Sequence, residues 1–256
     1  MGAEESAERQ AGVAAAGQGR SAFYALAPGG WRDYLTLLHP PYTAWHLSYV
    51  VLGAAMAPTV RLDRLGASLV AFFLAMGLSA HALDEVAGHP LNTRIPDRVL
   101  YGIAVFGLAA AMGMGIVGTV VATPWLPAFI VVGLFIAPAY NLEWFGGRFH
   151  SDFWFALAWG SFPFLTAYWV SGEELAPSAA VGVVAVFALS LAQRRLSSRV
   201  RMLRRRVREV EGRIVYRDGS TETFDRTWAM STEEQALKLL ALAVVAVSVA
   251  ALLSRV

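Results

Sequence analysis

Two histidines and two carboxylates lie close together at the end of a long apolar segment. His81, Asp84 and Glu85 share one face of a continuous helix, because positions i, i+3 and i+4 are neighbours. His89 lies one turn further on, between a glycine and a proline that favour the end of the helix. Ionisable side chains are costly at a membrane, so their presence here predicts a metal site.

The remaining histidines fall at the same ends of the predicted membrane spans. His39 and His46 lie at the start of the first span, and His150 lies just before the fifth, flanked by Glu143 and Asp152. Each has a simpler alternative, such as a loop histidine, a hydrogen-bonded core histidine or a helix N-cap. The predicted main ligands are His81, Glu85, His89, Glu143 and His150, with Asp84, His46 and Asp152 as outer or additional ligands.

The ligand types indicate which ion to expect. Imidazole and carboxylate together suit zinc, iron or manganese, whereas magnesium prefers oxygen ligands alone. We expect iron or zinc, as one ion or as a pair bridged by carboxylates, as in di-iron proteins. The chain has no cysteine, which excludes thiolate metal sites, iron–sulfur clusters and disulfides.

The composition identifies the class of protein that must position these residues. Hydrophobic residues make up 56% of the chain and charged residues only 16%, whereas soluble domains are normally about one quarter charged. Long apolar runs predict an all-α polytopic membrane protein embedded in the lipid bilayer. The expected spans cover residues 42–60, 65–83, 99–121, 125–141, 153–170, 178–191 and 237–253.

A block of arginines between residues 194 and 208 orients this bundle. By the positive-inside rule, the end of the sixth span is cytoplasmic, and alternation then places the N-terminus and the metal site on the same side. We expect the protein in the plasma (inner) membrane. The sequence predicts four segments: a disordered tail (1–30), the bundle with the site (31–193), a basic helix and β-hairpin around Asp218-Gly219 (194–234), and a last span (235–256).

The chain resembles the UbiA superfamily of intramembrane prenyltransferases over about residues 42–170. That family carries N-D-x-x-D-x-x-x-D at the end of its second helix, where the same frame here runs from His81 to His89. The stretch from Asn92 to Pro96 is similar to the family's continuation, and residues 140–148 and 160–163 are similar to its later motifs. The resemblance implies a UbiA-like helical bundle, magnesium and a prenyl diphosphate substrate.

The departures from that family concern the metal-binding carboxylates. Ala82, Glu85 and His89 stand where the family has aspartates, and the second aspartate-rich motif is replaced by the stretch that starts at Gln193. Seven spans are expected where the family has nine. Replacing carboxylates by imidazoles favours a transition metal, and one fold can carry different chemistry.

Three functions follow as hypotheses. The first is a membrane metalloenzyme that acts on a lipidic or isoprenoid-like small molecule, for example by oxidation. The second is a divergent prenyl or lipid transferase that holds a diphosphate through Arg94, Arg98 and Arg148 with magnesium. The third is a non-enzymatic scaffold whose arginine-rich helix docks an anionic lipid or a protein, since no nucleic-acid-binding signature accompanies the charge.

Overall fold

The computed structural model describes residues 20–256, and residues 1–19 of the predicted tail lie outside that part. Eight helices, one short helical turn (Trp144–Gly147) and one small sheet make up the regular structure of the described chain. The helices are α1 (Trp31–Leu37), α2 (Pro40–Met56), α3 (Leu62–Val86), α4 (Asp97–Val121), α5 (Leu126–Asn141), α6 (152–172), α7 (Pro177–Arg205) and α8 (Arg226–Leu253). The strands are β1 (Gly212–Val215) and β2 (Thr221–Phe224).

Four helices, α3, α4, α7 and α8, are long and apolar enough to cross a membrane. In the most apolar part of α4 only 11% of the residues are buried, and large side chains such as Phe106 and Val120 point outward. Exposed apolar surface of this extent suits contact with lipid. The other three expected spans largely coincide with α2, α5 and α6, which are helical but are not among these four, so the expectation of seven spans is confirmed only in part.

Local sequence explains where several helices begin. His39 adopts a left-handed conformation before Pro40, and a proline fits the first turn of a helix because its missing N–H would have no partner there. Ser151 caps α6, and the Asp225 carboxylate accepts a hydrogen bond from the Trp228 N–H at 2.7 Å. α8 therefore begins at Arg226, well before the apolar stretch that was predicted to span the membrane.

Two segments of π-helix interrupt the long helices. One covers Phe73–Ala80 within α3 and the other Leu157–Ser161 within α6. Such segments are rare and are frequently found at functional sites. The first leads directly into His81, and the second contains Trp159, whose carbonyl oxygen lies beside His46 in the site described below.

At the end of the bundle far from the histidines, the start of α3 meets the ends of α2, α6 and α8, so α3 runs antiparallel to those three helices. Arg64, near the start of α3, donates to the Val170 carbonyl at 2.8 Å and pairs with Glu173 at 2.7 Å. Arg255, after α8, donates to the carbonyls of Ala57 and Pro58 at 3.2 and 3.1 Å. These contacts hold the ends of α2, α3, α6 and α8 together.

Of the two remaining expectations, the hairpin and the disordered tail, the structure confirms the first and corrects part of the second. The strands β1 and β2 pair antiparallel, with Gly212 opposite Phe224, which confirms the expected hairpin. Residues 20–30, assigned to the disordered tail, instead pack against the bundle, where Ala25 is only 2% exposed. Asp33 fixes this region by accepting hydrogen bonds from the N–H groups of Gly29 and Arg94, at 2.8 and 3.0 Å.

Candidate functional site

A polar cavity of about 100 Å³ lies where the ends of α2, α3, α5, α6 and α7 meet. Four of the five histidines and one carboxylate line it, together with tyrosines and four arginines. The titratable and amide side chains discussed below that line it are His39, His46, His81, Asp84, His150, Tyr24, Tyr42, Tyr140, Gln193, Arg194, Arg201, Arg204 and Arg205. The predicted gathering of histidines at one end of the bundle is thus present, although its composition differs from the expected ligand set.

Backbone carbonyls orient three of these histidines in the same way. The Nδ1 atoms of His46, His81 and His150 lie 2.9, 3.2 and 3.0 Å from the carbonyl oxygens of Trp159, Gly77 and Tyr140. A carbonyl only accepts, so each Nδ1 carries the hydrogen and Nε2 keeps its lone pair. Neutral imidazoles in this tautomer can act as bases or as metal ligands.

His39 differs from the other three. Its Nε2 atom is buried and has no hydrogen-bond partner in the described part of the chain, while its ring stacks on that of His81 with centroids 4.1 Å apart. Burial, then the neighbouring His81, Arg205 and Arg201, hold the pKa of His39 well below its usual value. His39 is therefore neutral at physiological pH.

Further buried polar atoms face the same cavity without a partner among residues 20–256. They are the hydroxyl of Tyr140 and the side-chain oxygen of Gln193, in residues only 4% and 2% exposed. Asp84, which is half-buried, has no hydrogen bond or ion pair to another described residue. A buried polar group without a partner is unfavourable, so the cavity is suited to a polar ligand.

The four arginines come from one face of α7. Positions 194, 201 and 205 follow the spacing i, i+7 and i+11, which places them on one stripe of a helix. Asp152 holds Arg194 at 3.3 Å, and the Arg194 guanidinium lies 5.3 Å from the centre of the Phe155 ring and 3.4 Å from His150 Nε2. Asp152 thus positions an arginine in addition to beginning α6.

Arg201 and Arg204 have different surroundings. Arg204 is nearly buried and pairs with Glu234 of α8. Arg201 donates to the Ser198 hydroxyl at 3.1 Å, and none of the described carboxylates lies within ion-pair distance of it. Asp152 and Glu234 balance the charges of Arg194 and Arg204, so the excess positive charge of the described lining comes from Arg201 and Arg205, with Asp84 opposite in sign.

The predicted metal ligands do not all meet at the cavity. His46, His81, Asp84 and His150 line it, whereas Glu85, His89, Glu143 and Asp152 do not. Glu85 is fully buried and accepts hydrogen bonds from the Leu91 N–H and from the N–H and hydroxyl of Thr93, at 2.8–2.9 Å. His89 is more exposed and lies 2.9 Å from Asp97. Glu85 stabilises the loop after α3, His89 lies within that loop, and neither residue lines the cavity.

Glu143 also lies apart from the cavity. Its side chain is 65% exposed, and its oxygen is 3.9 Å from His150 Nδ1. It begins a turn in which Glu143, Phe145, Gly146 and Gly147 all have positive φ. Over residues 20–256, no group of three or more histidine and acidic side chains is close enough to hold a metal ion.

The arginines expected to hold a diphosphate are not the ones that line the cavity. Arg94, Arg98 and Arg148 are exposed and lie outside it. Arginines of α7 line the cavity instead, whereas the sequence interpretation used them as a signal of topology and, in the scaffold hypothesis, as a docking site for an anionic lipid or a protein. Their common stripe along the helix was the signal that could have identified them.

Comparisons of the chain with protein-family models, with curated proteins and with solved structures gave no match.

Proposed function

We propose that this is an integral membrane protein that binds the anionic head group of a lipidic substrate in the polar cavity, as the lipid-transferase hypothesis requires. The observation that carries this proposal is the stripe of arginines facing three orphaned polar atoms and four histidines. Guanidinium groups bind phosphate in a planar, bidentate geometry, so phosphate is the preferred head group. Under the positive-inside rule the cavity opens at the cytoplasmic face.

Asp84 and the histidines supply proton transfer in this proposal. Asp84 and the unpartnered Nε2 of His39 line the same cavity as the arginines, and both can accept a proton. The attacking group would bond to the lipid carbon as the carbon–oxygen bond to the phosphate breaks. The arginines would hold the departing phosphate, and one of these bases would take the proton of the attacking group. This division of tasks is the usual one for phosphoryl and lipid-group transfer.

Magnesium, which the resemblance to prenyltransferases implies, does not fit this cavity well. Magnesium binds through several oxygen ligands, and Asp84 is the one carboxylate that lines the cavity in residues 20–256. The arginines carry the positive charge that magnesium would otherwise provide. We therefore propose head-group binding that does not depend on a divalent ion.

The binding test uses purified protein in nanodiscs and dodecyl phosphate as the probe, titrated by calorimetry. Arg201→Gln should weaken binding about tenfold or more, because charged hydrogen bonds contribute about 1.5–3 kcal/mol. Arg195→Gln is the matched control, since Arg195 is exposed on the same helix and does not line the cavity. Equal affinity of the two variants would refute the proposal.

A transition metal is the second candidate, favoured by the common tautomer of His46, His81 and His150. With Nδ1 held by a carbonyl, the Nε2 atoms of His46 and His81 are in the form that zinc or iron binds, whereas Nε2 of His150 faces the Arg194 guanidinium. Elemental analysis of the purified protein tests this candidate. A stoichiometric metal that is lost in His81→Ala but kept in Glu85→Ala would support a site at the cavity.

A further inference from the structure

A short strap, residues 20–26, crosses the polar cavity and contributes Ser21 and Tyr24 to its lining. Two arginines of the cavity donate hydrogen bonds to the strap's backbone. Arg204 Nη1 lies 3.4 Å from the carbonyl oxygen of Arg20, and Arg205 Nε lies 3.3 Å from that of Ser21. The strap therefore places neutral oxygen atoms where an anionic group would meet these arginines.

The length of these two hydrogen bonds indicates which acceptor the arginines prefer. Charge-assisted bonds from a guanidinium to an anionic oxygen are typically about 2.7–2.9 Å and roughly twice as strong as neutral ones. The contacts to the strap are longer and involve uncharged carbonyls. A phosphate group would thus bind Arg205 more favourably than the strap does, and it would meet Arg204 beside that residue's ion pair with Glu234.

The other contacts of the strap are of a kind that can be exchanged. Phe23 packs under the ammonium of Lys238 at 5.1 Å and edge-on to Tyr42, while Tyr24 contacts Tyr42 and His39. The Ser21 hydroxyl donates to the Leu91 carbonyl at 3.0 Å. These are aromatic contacts between partly buried side chains and a single hydrogen bond, each of modest strength.

The C-terminal end of the strap is fixed more firmly. Ala25 is only 2% exposed, and the N–H of Leu26 donates to the Thr36 hydroxyl at 3.0 Å. Movement of the strap would accordingly turn about this end and carry residues 20–24 away from the cavity.

We propose that the strap is an autoinhibitory cover, which an anionic head group displaces from Arg204 and Arg205. This inference rests on the proposed function, since it takes the same cavity as the binding site. It adds that the cavity is closed to head groups until the strap leaves, so the strap competes with the ligand. The consequence is that loosening the strap strengthens ligand binding.

The first experiment uses the full chain in nanodiscs and measures tryptic cleavage after Arg20, which is exposed at the start of the strap. Saturating dodecyl phosphate should accelerate this cleavage about tenfold, because proteolysis follows the population of the open form. Dodecyl maltoside, an uncharged amphiphile, should leave the rate unchanged. Bound dodecyl phosphate without faster cleavage would overturn the strap inference and leave the proposed function standing.

The second experiment uses the double variant Phe23→Ala/Tyr24→Ala, with Tyr34→Ala as the control. Tyr34 is an exposed aromatic residue of α1 that does not line the cavity. The double variant should bind dodecyl phosphate several-fold more tightly and be cleaved faster without ligand, whereas the control should behave as the native chain.

Weaker binding by the double variant would overturn the inference, because it would mean that the strap helps to hold the ligand. Binding by the double variant alone, with none by the native chain, would support it strongly. Binding by neither protein would refute the proposed function and the strap inference together.

Discussion

The imidazole rings of His39 and His81 stack face to face, with their centroids 4.1 Å apart and an angle of 11° between their planes. The two residues come from different elements, His39 from the turn before α2 and His81 from the end of the π-helical segment of α3. Two protonated rings at this distance would repel each other. The stack therefore requires that at least one ring is neutral, so protonation of both rings at low pH should destabilise the folded site.

Acidification should destabilise the protein through His39. Burial lowers the pKa of His39 in the folded state, and His81, Arg201 and Arg205 lower it further, whereas Asp84 lines the same cavity with the opposite charge. Below about pH 6.5 the unfolded chain binds a proton that the folded chain excludes. The free energy of unfolding should then fall as the pH falls, by at most about 1.4 kcal/mol per pH unit for this residue.

Thermal denaturation at pH 7.5, 6.5 and 5.5 measures this effect. His39→Gln removes the titrating ring and should flatten the pH dependence between pH 6.5 and 5.5. An equally steep dependence in His39→Gln would assign the effect to other groups.

Removing the charge of Glu85 should destabilise the loop after α3 without affecting the cavity. Glu85→Gln replaces one oxygen that accepts the N–H of Leu91 or Thr93 by a donor, and the cost should be about 2 kcal/mol. Chemical denaturation measures the loss, with Asp97→Asn as an exposed control. If dodecyl phosphate binding or metal content fell in Glu85→Gln at a temperature where it is folded, Glu85 would belong to the site after all.

The contact between α2 and α6 requires a glycine at position 53. A Cβ atom there would lie 2.2 Å from the backbone oxygen of Phe164, which cannot move aside easily. Gly53→Ala should therefore destabilise the protein by about 1–3 kcal/mol, as overpacking does. Gly66→Ala in α3 is the control, since no atom outside its own helix lies within 4 Å of the added methyl group. Similar melting temperatures for the two variants would contradict this packing.

Asp84 should oppose anion binding by its charge. It lines the cavity beside the arginines, and Asp84→Asn removes one negative charge at nearly constant volume. Dodecyl phosphate should then bind roughly tenfold more tightly, as expected for removal of a nearby like charge in a partly buried site. Calorimetric titration checks this result. Unchanged affinity would place the head group away from Asp84.

The helices of this protein follow directly from its sequence, and its side-chain directions do not. Apolar periodicity, prolines and polar caps located the helices, and the alternation of helix direction brought His46, His81 and His150 to one end. The i, i+3, i+4 rule predicted one face for His81, Asp84 and Glu85. In the structure, Asp84 joins His81 at the cavity, while Glu85 turns to the N–H groups of Leu91 and Thr93.

Such a partner for Glu85 could not be foreseen, because it depends on how the loop folds back against the helix. The arginines of α7 illustrate the opposite case. Their stripe was visible in the sequence, but an arginine block beside a span has a sufficient explanation in membrane topology. Only the position of α7 against α2 and α3 turns Arg201 and Arg205 toward the histidines.

The turn between β1 and β2 is a suitable place for a tag that reports the orientation of the whole bundle in the membrane. Asp218 and Gly219 are exposed, and Gly219 has the positive φ of 83° that a tight turn requires. Loop tips of this kind tolerate inserted sequence. An epitope or a split reporter fragment placed there would record which compartment this loop faces in living cells, without disturbing any helix.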